Sequence, residues 1–174
     1  MKQKRMMIVL YGDMNQGKTS TLMQLAINLA GGGTAVANSI HNTFIRKGKY
    51  KDGHLIVEYR ERLIYIATGG DSWVVCWDNT EFFENNFHNL AIYKVNAAGV
   101  KKLSAKDQKT YKEHPSTVVI SACRPNEIKN GAIKALHYYS ENAISDYVEQ
   151  LWLRMDDDID KMANEIQKRI DEFI

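Results

Sequence analysis

Eight residues near the start of the chain combine the types and the spacing that hold a phosphate: Gly12-Asp13-Met14-Asn15-Gln16-Gly17-Lys18-Thr19, which fit G-x-x-x-x-G-K-[ST]. Gly12 and Gly17 let the backbone take turn conformations closed to other residues, and they leave room for a phosphate to approach. Successive backbone N–H groups from Asn15 through Gln16 to Lys18 then converge on phosphate oxygens, helped by the positive end of a following helix. Lys18 adds a full charge toward the terminal phosphates, and the Thr19 hydroxyl, followed by Ser20, can complete a Mg²⁺ shell. With Gly at about 7% of residues, chance produces this pattern on the order of once in a few hundred chains of this length. The surrounding elements have to confirm it.

They do so in order. Met6 to Tyr11 is a continuous apolar run, as expected for a strand buried on both faces. A helix is predicted from Lys18 to Ala30, where Leu22, Leu25, Ala26 and Leu29 recur at helical spacing and Gly31-Gly32-Gly33 supplies a stop. Further on, Thr34 to Ala37 reads as a short strand and Arg46-Lys47-Gly48-Lys49 as an exposed basic loop. His54 to Tyr59 and Leu63 to Ala67 are strands parted by only Arg60-Glu61-Arg62, which forces an antiparallel hairpin, because a parallel crossover needs about a dozen residues. Thr117 to Cys123 is a fourth strand, Ala132 to Tyr147 mainly helix, and Gln150 to Met155 a last strand. A C-terminal helix is the clearest of all, with Ile159, Met162, Ala163, Ile166, Ile170 and Phe173 on one stripe. Asp156-Asp157-Asp158 at its start and Lys168-Arg169 toward its end suit the helix dipole, so the triple Asp reads as capping before it reads as a metal site. Strands alternating with helices predict an α/β fold whose sheet is mostly parallel with one antiparallel hairpin.

The eight residues are the Walker A motif, and the chain thereby resembles the P-loop NTPase superfamily. Gly12-Asp13 followed by Gly17-Lys18-Thr19-Ser20 looks most like the loop of small GTPases, and the hairpin is similar to their second and third strands. The resemblance implies a three-layer P-loop NTPase fold, with residues 1–174 forming a single nucleotide-binding domain. It also implies Mg²⁺ and ATP or GTP as ligand. Two departures matter. Where GTPases place Asp-x-x-Gly after the third strand, this chain has Ala67-Thr68-Gly69-Gly70-Asp71; where they carry Asn-Lys-x-Asp after a later strand, it has Arg124-Pro125-Asn126-Glu127. The missing guanine-reading motif favours ATP. The Ile66-to-Asp71 stretch is also similar to the Gly-rich motif of shikimate-kinase-like enzymes, although Asn15 stands where their loops usually have another Gly and no Asp-x-Asp pair follows the first helix.

Ligands bind beyond the carboxyl ends of strands in open α/β sheets, which singles out two more residues. Asp71 is a candidate for holding Mg²⁺ or positioning the attacking nucleophile, and Arg124 for stabilising transition-state charge as an internal arginine finger. Asp78 reads rather as a cap for the segment carrying Phe82 and Phe83. Cys123 reads as a small buried hydrophobe, not a nucleophile. His41, His54, His88, His114 and His137 show no metal-ligand spacing. Lys101, Lys102, Lys106, Lys109 and Lys112 read as a solvated helix face. Trp73 and Trp77 join Phe82 and Phe83 as expected core aromatics.

Composition sets the outer limits. The 174 residues suffice for one domain with a sizeable core, and 44% hydrophobic with 25% charged is a globular balance. A net charge of +2 gives no call for nucleic acid. No run approaches the roughly 18 apolar residues of a membrane helix. The basic N-terminus leads into too short an apolar run for a secretory signal. Cys76 and Cys123 fit neither a disulfide framework nor a four-ligand zinc site, so a reduced, cytoplasmic protein is expected. The sequence therefore predicts Mg-dependent binding and hydrolysis of ATP, with or without a protein partner. A small-molecule kinase and a nucleotide-binding regulator with little turnover are the alternatives.

Overall fold

A computed structural model of the chain describes residues 4–13, 16–69, 91–112, 116–123 and 147–174. Its frame is an α/β fold on a seven-stranded sheet. β1 (Arg5–Tyr11) leads to α1 (Lys18–Leu29) and then α2 (Thr34–Phe44). A small hairpin of β2 (Ile45–Arg46) and β3 (Lys49–Tyr50) precedes a long one of β4 (His54–Tyr59) and β5 (Arg62–Ala67). Then come β6 (Ile92–Asn96), β7 (Gly99–Lys102), α3 (Ala105–Lys112), β8 (Val118–Cys123), β9 (Tyr147–Arg154) and α4 (Ile159–Phe173).

The large sheet runs β7-β6-β4-β5-β8-β1-β9. β5, β8, β1 and β9 are mutually parallel, while β4 pairs antiparallel with β5 and β7 antiparallel with β6. The carboxyl ends of β5, β8, β1 and β9 therefore share one rim. The solid apolar runs lie where a strand is covered on both faces: all of Met6 to Leu10 and all of Val118 to Cys123 are buried.

Alternate residues of each strand feed two cores. On one face Met6, Ile8 and Leu10, with Ile64, Ile66 and Ile120, meet Leu22, Leu25 and Leu29 of α1, Val36, Ile40 and Phe44 of α2, and Met162, Ile166 and Ile170 of α4. On the other, Met7, Val9, Ile56, Tyr65, Val119 and Cys123 pack together with Leu103, and Tyr111 of α3 packs on them. The described helices thus lie on both faces, giving three layers.

Several expectations are corrected. Thr34 to Ala37 is the start of α2, not a strand; Val36, Ile40 and Phe44 recur every fourth residue and are all buried, which is the helical period. Arg46 to Lys49 are exposed as expected, but Arg46 and Lys49 are paired in β2 and β3, and only Lys47 (φ 51) and Gly48 (φ 76) form the two-residue left-handed connection. The basic segment is not one helix face, since Lys101 and Lys102 belong to edge strand β7 and Lys106 and Lys109 to α3. The helix predicted over Ala132 to Tyr147 lies outside the described residues except for Tyr147, which opens β9. Asp158 caps α4, accepting from Lys161 N at 3.0 Å, so the capping reading of the acidic triplet holds.

α4 is fixed at its far end as well. The Tyr59 hydroxyl donates to Asp171 Oδ1 at 2.6 Å, and Arg60 pairs with the same carboxylate at 3.4 Å. Both partners sit at the β4–β5 turn, where Arg60 (φ 50) and Glu61 (φ 63) take left-handed conformations without a glycine. Such a conformation costs roughly 1–2 kcal/mol for a residue with a Cβ, and the bonds to α4 help hold the turn.

Candidate functional site

β1 delivers its chain to the rim between two parallel neighbours, with Tyr11 opposite Cys123 on one side and Arg154 on the other. Gly12 N continues the ladder by donating to Cys123 O at 3.1 Å. The chain then turns into α1 through Gly17, whose φ of 97° lies in the left-handed region. Gly17 stands at the N-cap and has no side chain with which to cap the helix. Thr19 and Ser20 stand half-buried in that turn.

Lys18 is buried to 9% exposure and folds back over the loop, its ammonium donating to Gly12 O and, at 2.9 Å, to Asp13 O. The loop carries its own crosslink: Asp13 N donates to Gln16 Oε1 at 2.8 Å, and Gln16 N donates to Asp13 O at 3.2 Å.

The two motif glycines are required for different reasons, Gly12 by close approach and Gly17 by its left-handed backbone. A Cβ on Gly12 would come within 2.7 Å of Gln16 Oε1 and of Met155 Cβ, and one on Gly17 would sit 3.4 Å from Ile159 Cγ1 in a backbone conformation unsuited to it. Met155 and Ile159 are the residues sequence reasoning missed. They come from the β9–α4 junction, which reaches the loop because β9 pairs parallel with β1 and ends on the same rim, a long-range pairing that no local sequence signal reveals.

β8 lies between β1 and β5, so the end of β5 at Ala67 is two strand spacings, about 10 Å, from the end of β1. Thr68 is buried there and clamps the entry to β4, with Thr68 N donating to Gly53 O at 3.0 Å and Gly53 N to Thr68 Oγ1 at 2.8 Å. Of the residues singled out from the sequence, the structure brings Gly12, Gln16, Gly17, Lys18, Thr19 and Ser20 together. Asn15, Asp71 and Arg124 lie outside the described residues, as do Asp78 and the Trp73-to-Phe83 aromatics. Cys123 is fully buried, as expected of a packing residue. Among the described residues no group of three or more His, Cys, Asp or Glu side chains could hold a metal, and no helix is long and apolar enough to cross a membrane.

Among the described residues, His54 is a histidine that stands on this rim. His54 opens β4 opposite Ala67, its Nδ1 hydrogen-bonded with the Tyr65 hydroxyl at 2.7 Å. Burial pushes its imidazole down from 6.5 to about 4. The unfolded chain thus takes up a proton between those two pH values that the folded protein does not. Stability is complete above about pH 6.5 and falls by roughly 3 kcal/mol as the pH drops toward 4. Denaturant unfolding at about pH 7 and about pH 5 measures this, and His54→Gln flattens the difference; an equal slope in the variant would assign it to other groups.

The chain matches no protein-family model, no curated protein and no solved structure. The functional reading therefore rests on the loop and the frame that holds it.

Proposed function

We propose that the chain is a P-loop NTPase that binds Mg·ATP at the Gly12-to-Thr19 loop and hydrolyses the γ-phosphate. The observation that carries this reading is the conjunction of motif and setting. A buried parallel strand ends at Tyr11, Gly17 turns left-handed into α1, and Lys18 lies folded over the loop, bonded to Gly12 and Asp13.

In that reading Lys18 exchanges the Gly12 and Asp13 carbonyls for β- and γ-phosphate oxygens, gaining charge-assisted hydrogen bonds. The amides of the first turn of α1 donate to the same oxygens, within the positive field of the helix terminus. The donor set suits Mg²⁺ at Thr19, a hard hydroxyl oxygen beside the phosphates; the ion supplies charge that offsets theirs. A water oxygen attacks the γ-phosphorus as the bond to the β–γ bridging oxygen breaks, releasing ADP, phosphate and a proton. Asp71 and Arg124 remain the proposed groups for positioning water or metal and for stabilising charge. ATP is favoured over GTP because Arg124-Pro125-Asn126-Glu127 stands in place of a guanine-reading motif.

Calorimetric titration with Mg·ATP and Mg·GTP, followed by phosphate-release assays, tests the proposal. Micromolar binding of Mg·ATP with steady phosphate release supports it. Turnover only with an added hydroxyl acceptor would make the chain a kinase, and tight binding without turnover a regulator. Binding of neither nucleotide would remove the reading.

A further inference from the structure

The near-balanced total charge conceals a division. Residues 156–172, leading into and along α4, carry seven carboxylates against three cations, whereas residues 46–51 carry four cations and no carboxylate. Arg46, Lys47 and Lys49 are exposed on the β2–β3 ribbon. Among the described residues neither they nor Lys51, Lys101 and Lys102 are in an ion pair. The ribbon is tied to the β7 edge of the large sheet. Lys51 N donates to Phe44 O at 2.7 Å, holding the ribbon to the end of α2, and Val100 N of β7 donates to Ser39 Oγ of α2 at 2.9 Å. Phe44 joins the two parts. Lys51 Nζ stands 6.0 Å from its ring centroid, and its ring meets Tyr93, which lies directly opposite Lys102 in the sheet. The ribbon and the edge thus present their cations as one surface.

Their arrangement opposes the stability of the fold. Arg46 is directly opposite Lys49 in the β2–β3 ladder, and Lys94 directly opposite Lys101 in β6–β7. Like charges so placed destabilise a strand pair. Glu58 offsets Lys94 at 3.6 Å, but among the described residues no acid does the same for Arg46 and Lys49. Guarding an edge needs a charge, not two alike face to face; a polyanion laid across them turns the repulsion into attraction. Aromatic rings stand beside the cations, exposed His41 and half-buried Tyr50 having centroids 6.0 Å apart and planes tilted by 55°. With two residues in each strand the ribbon is too short to follow the groove of a duplex. Ring faces among cations suit unstacked bases joined by phosphates. We propose that the β2–β3 ribbon and the adjoining β7 edge bind single-stranded nucleic acid. Arg46, Lys47, Lys49, Lys51 and Lys102 meet its phosphates, and Tyr50 with His41 stacks on a base. This surface uses none of the residues assigned to the nucleotide, and it stands or falls independently of that reading.

Fluorescence anisotropy of a labelled oligothymidylate of about 20 nucleotides, titrated with the full chain at several salt concentrations, tests this. The wild type binds it, and log K falls against log salt with a slope of about −0.7 for each phosphate neutralised. Lys49→Glu weakens binding about tenfold and flattens that slope, yet melts no lower than the wild type, because it sets opposite charges across the ribbon. Tyr50→Leu keeps an apolar side chain but loses the ring; it weakens binding by about the same factor with the slope unchanged. Lys168→Glu makes the same change of net charge on the exposed face of α4 and leaves the affinity within about twofold. No binding by the wild type at low salt would overturn the proposal, as would unchanged affinity in Lys49→Glu. Equal weakening by Lys168→Glu would assign the binding to net charge alone and overturn it too. Tighter binding of a duplex of the same length, or binding of phosphatidylserine vesicles in place of the oligonucleotide, would overturn it in favour of those partners.

Discussion

Lys18→Ala weakens Mg·ATP binding by about a hundredfold. The lysine is the one full positive charge that the motif brings over the loop, and hydrogen bonds from a charged donor contribute roughly 1.5–3 kcal/mol each. Losing one or two of them to the phosphates is worth about two orders of magnitude in Kd. The variant also leaves the buried Gly12 carbonyl without its lysine donor, which costs about 1–3 kcal/mol, so its thermal midpoint falls modestly, whereas Asp13 is exposed to water. Titration calorimetry beside a melting curve separates the two effects. Unchanged affinity in a folded Lys18→Ala protein would mean that the ligand, if any, binds elsewhere.

Phe44→Ala has the largest effect on stability, about 3–5 kcal/mol. Phe44 ends α2 almost fully buried, meets Tyr93 of β6 edge to face with ring centroids 5.0 Å apart, and fills the space over Gly53 so closely that a Cβ there would lie 2.6 Å from its ring. Truncation removes the ring and leaves a cavity between α2 and the strand pair that positions Thr68. For a chain of this size the melting temperature should fall by on the order of 10 °C. Phe44→Leu, which refills part of the space, should recover most of the loss; equal loss in both variants would point to the aromatic contact rather than the volume.

Much of this frame could be read from the chain because its strongest signals are local. β1, α1, β8 and α4 declare themselves by uninterrupted apolar runs or a stripe at helical period, and the β4–β5 hairpin by a connection too short for anything else. α2 was misread because Thr34-Ala35-Val36-Ala37 has strand-like composition over four residues, and only the longer repeat through Ile40 and Phe44 reveals the helix. β6 and β7 were missed because they lie toward the sheet's edge, half exposed, with Tyr93, Lys94, Lys101 and Lys102 breaking any apolar run. Such cations are the usual guard of an edge strand.

The candidate site divides in the same way. The loop was legible in eight contiguous residues, since its chemistry depends on residue type at fixed spacing. Its bracing was not. Gln16 and Met155 are 139 residues apart in sequence, and nothing in a lone methionine before three aspartates announces that its carbonyl receives the loop's glutamine. The placement of β8 between β1 and β5 was equally hidden, because strand order follows from pairings between distant segments.

That long-range bracing sets the order in which the molecule can assemble. β1 is made first, yet both of its neighbours in the sheet, β8 and β9, are made more than a hundred residues later. During synthesis the Gly12-to-Thr19 segment leaves the ribosome with its glycines and lysine in place but with no rim to stand on. Local pieces, the β4–β5 hairpin and the α1 helix, can form early, whereas β1 must wait for the end of the chain to close over it. Pairings of such high sequence separation fold slowly, so the rate-limiting event in folding should be the insertion of β1 between its late partners. The segment after β1 gains its bracing from Cys123 and Met155 only at that final step.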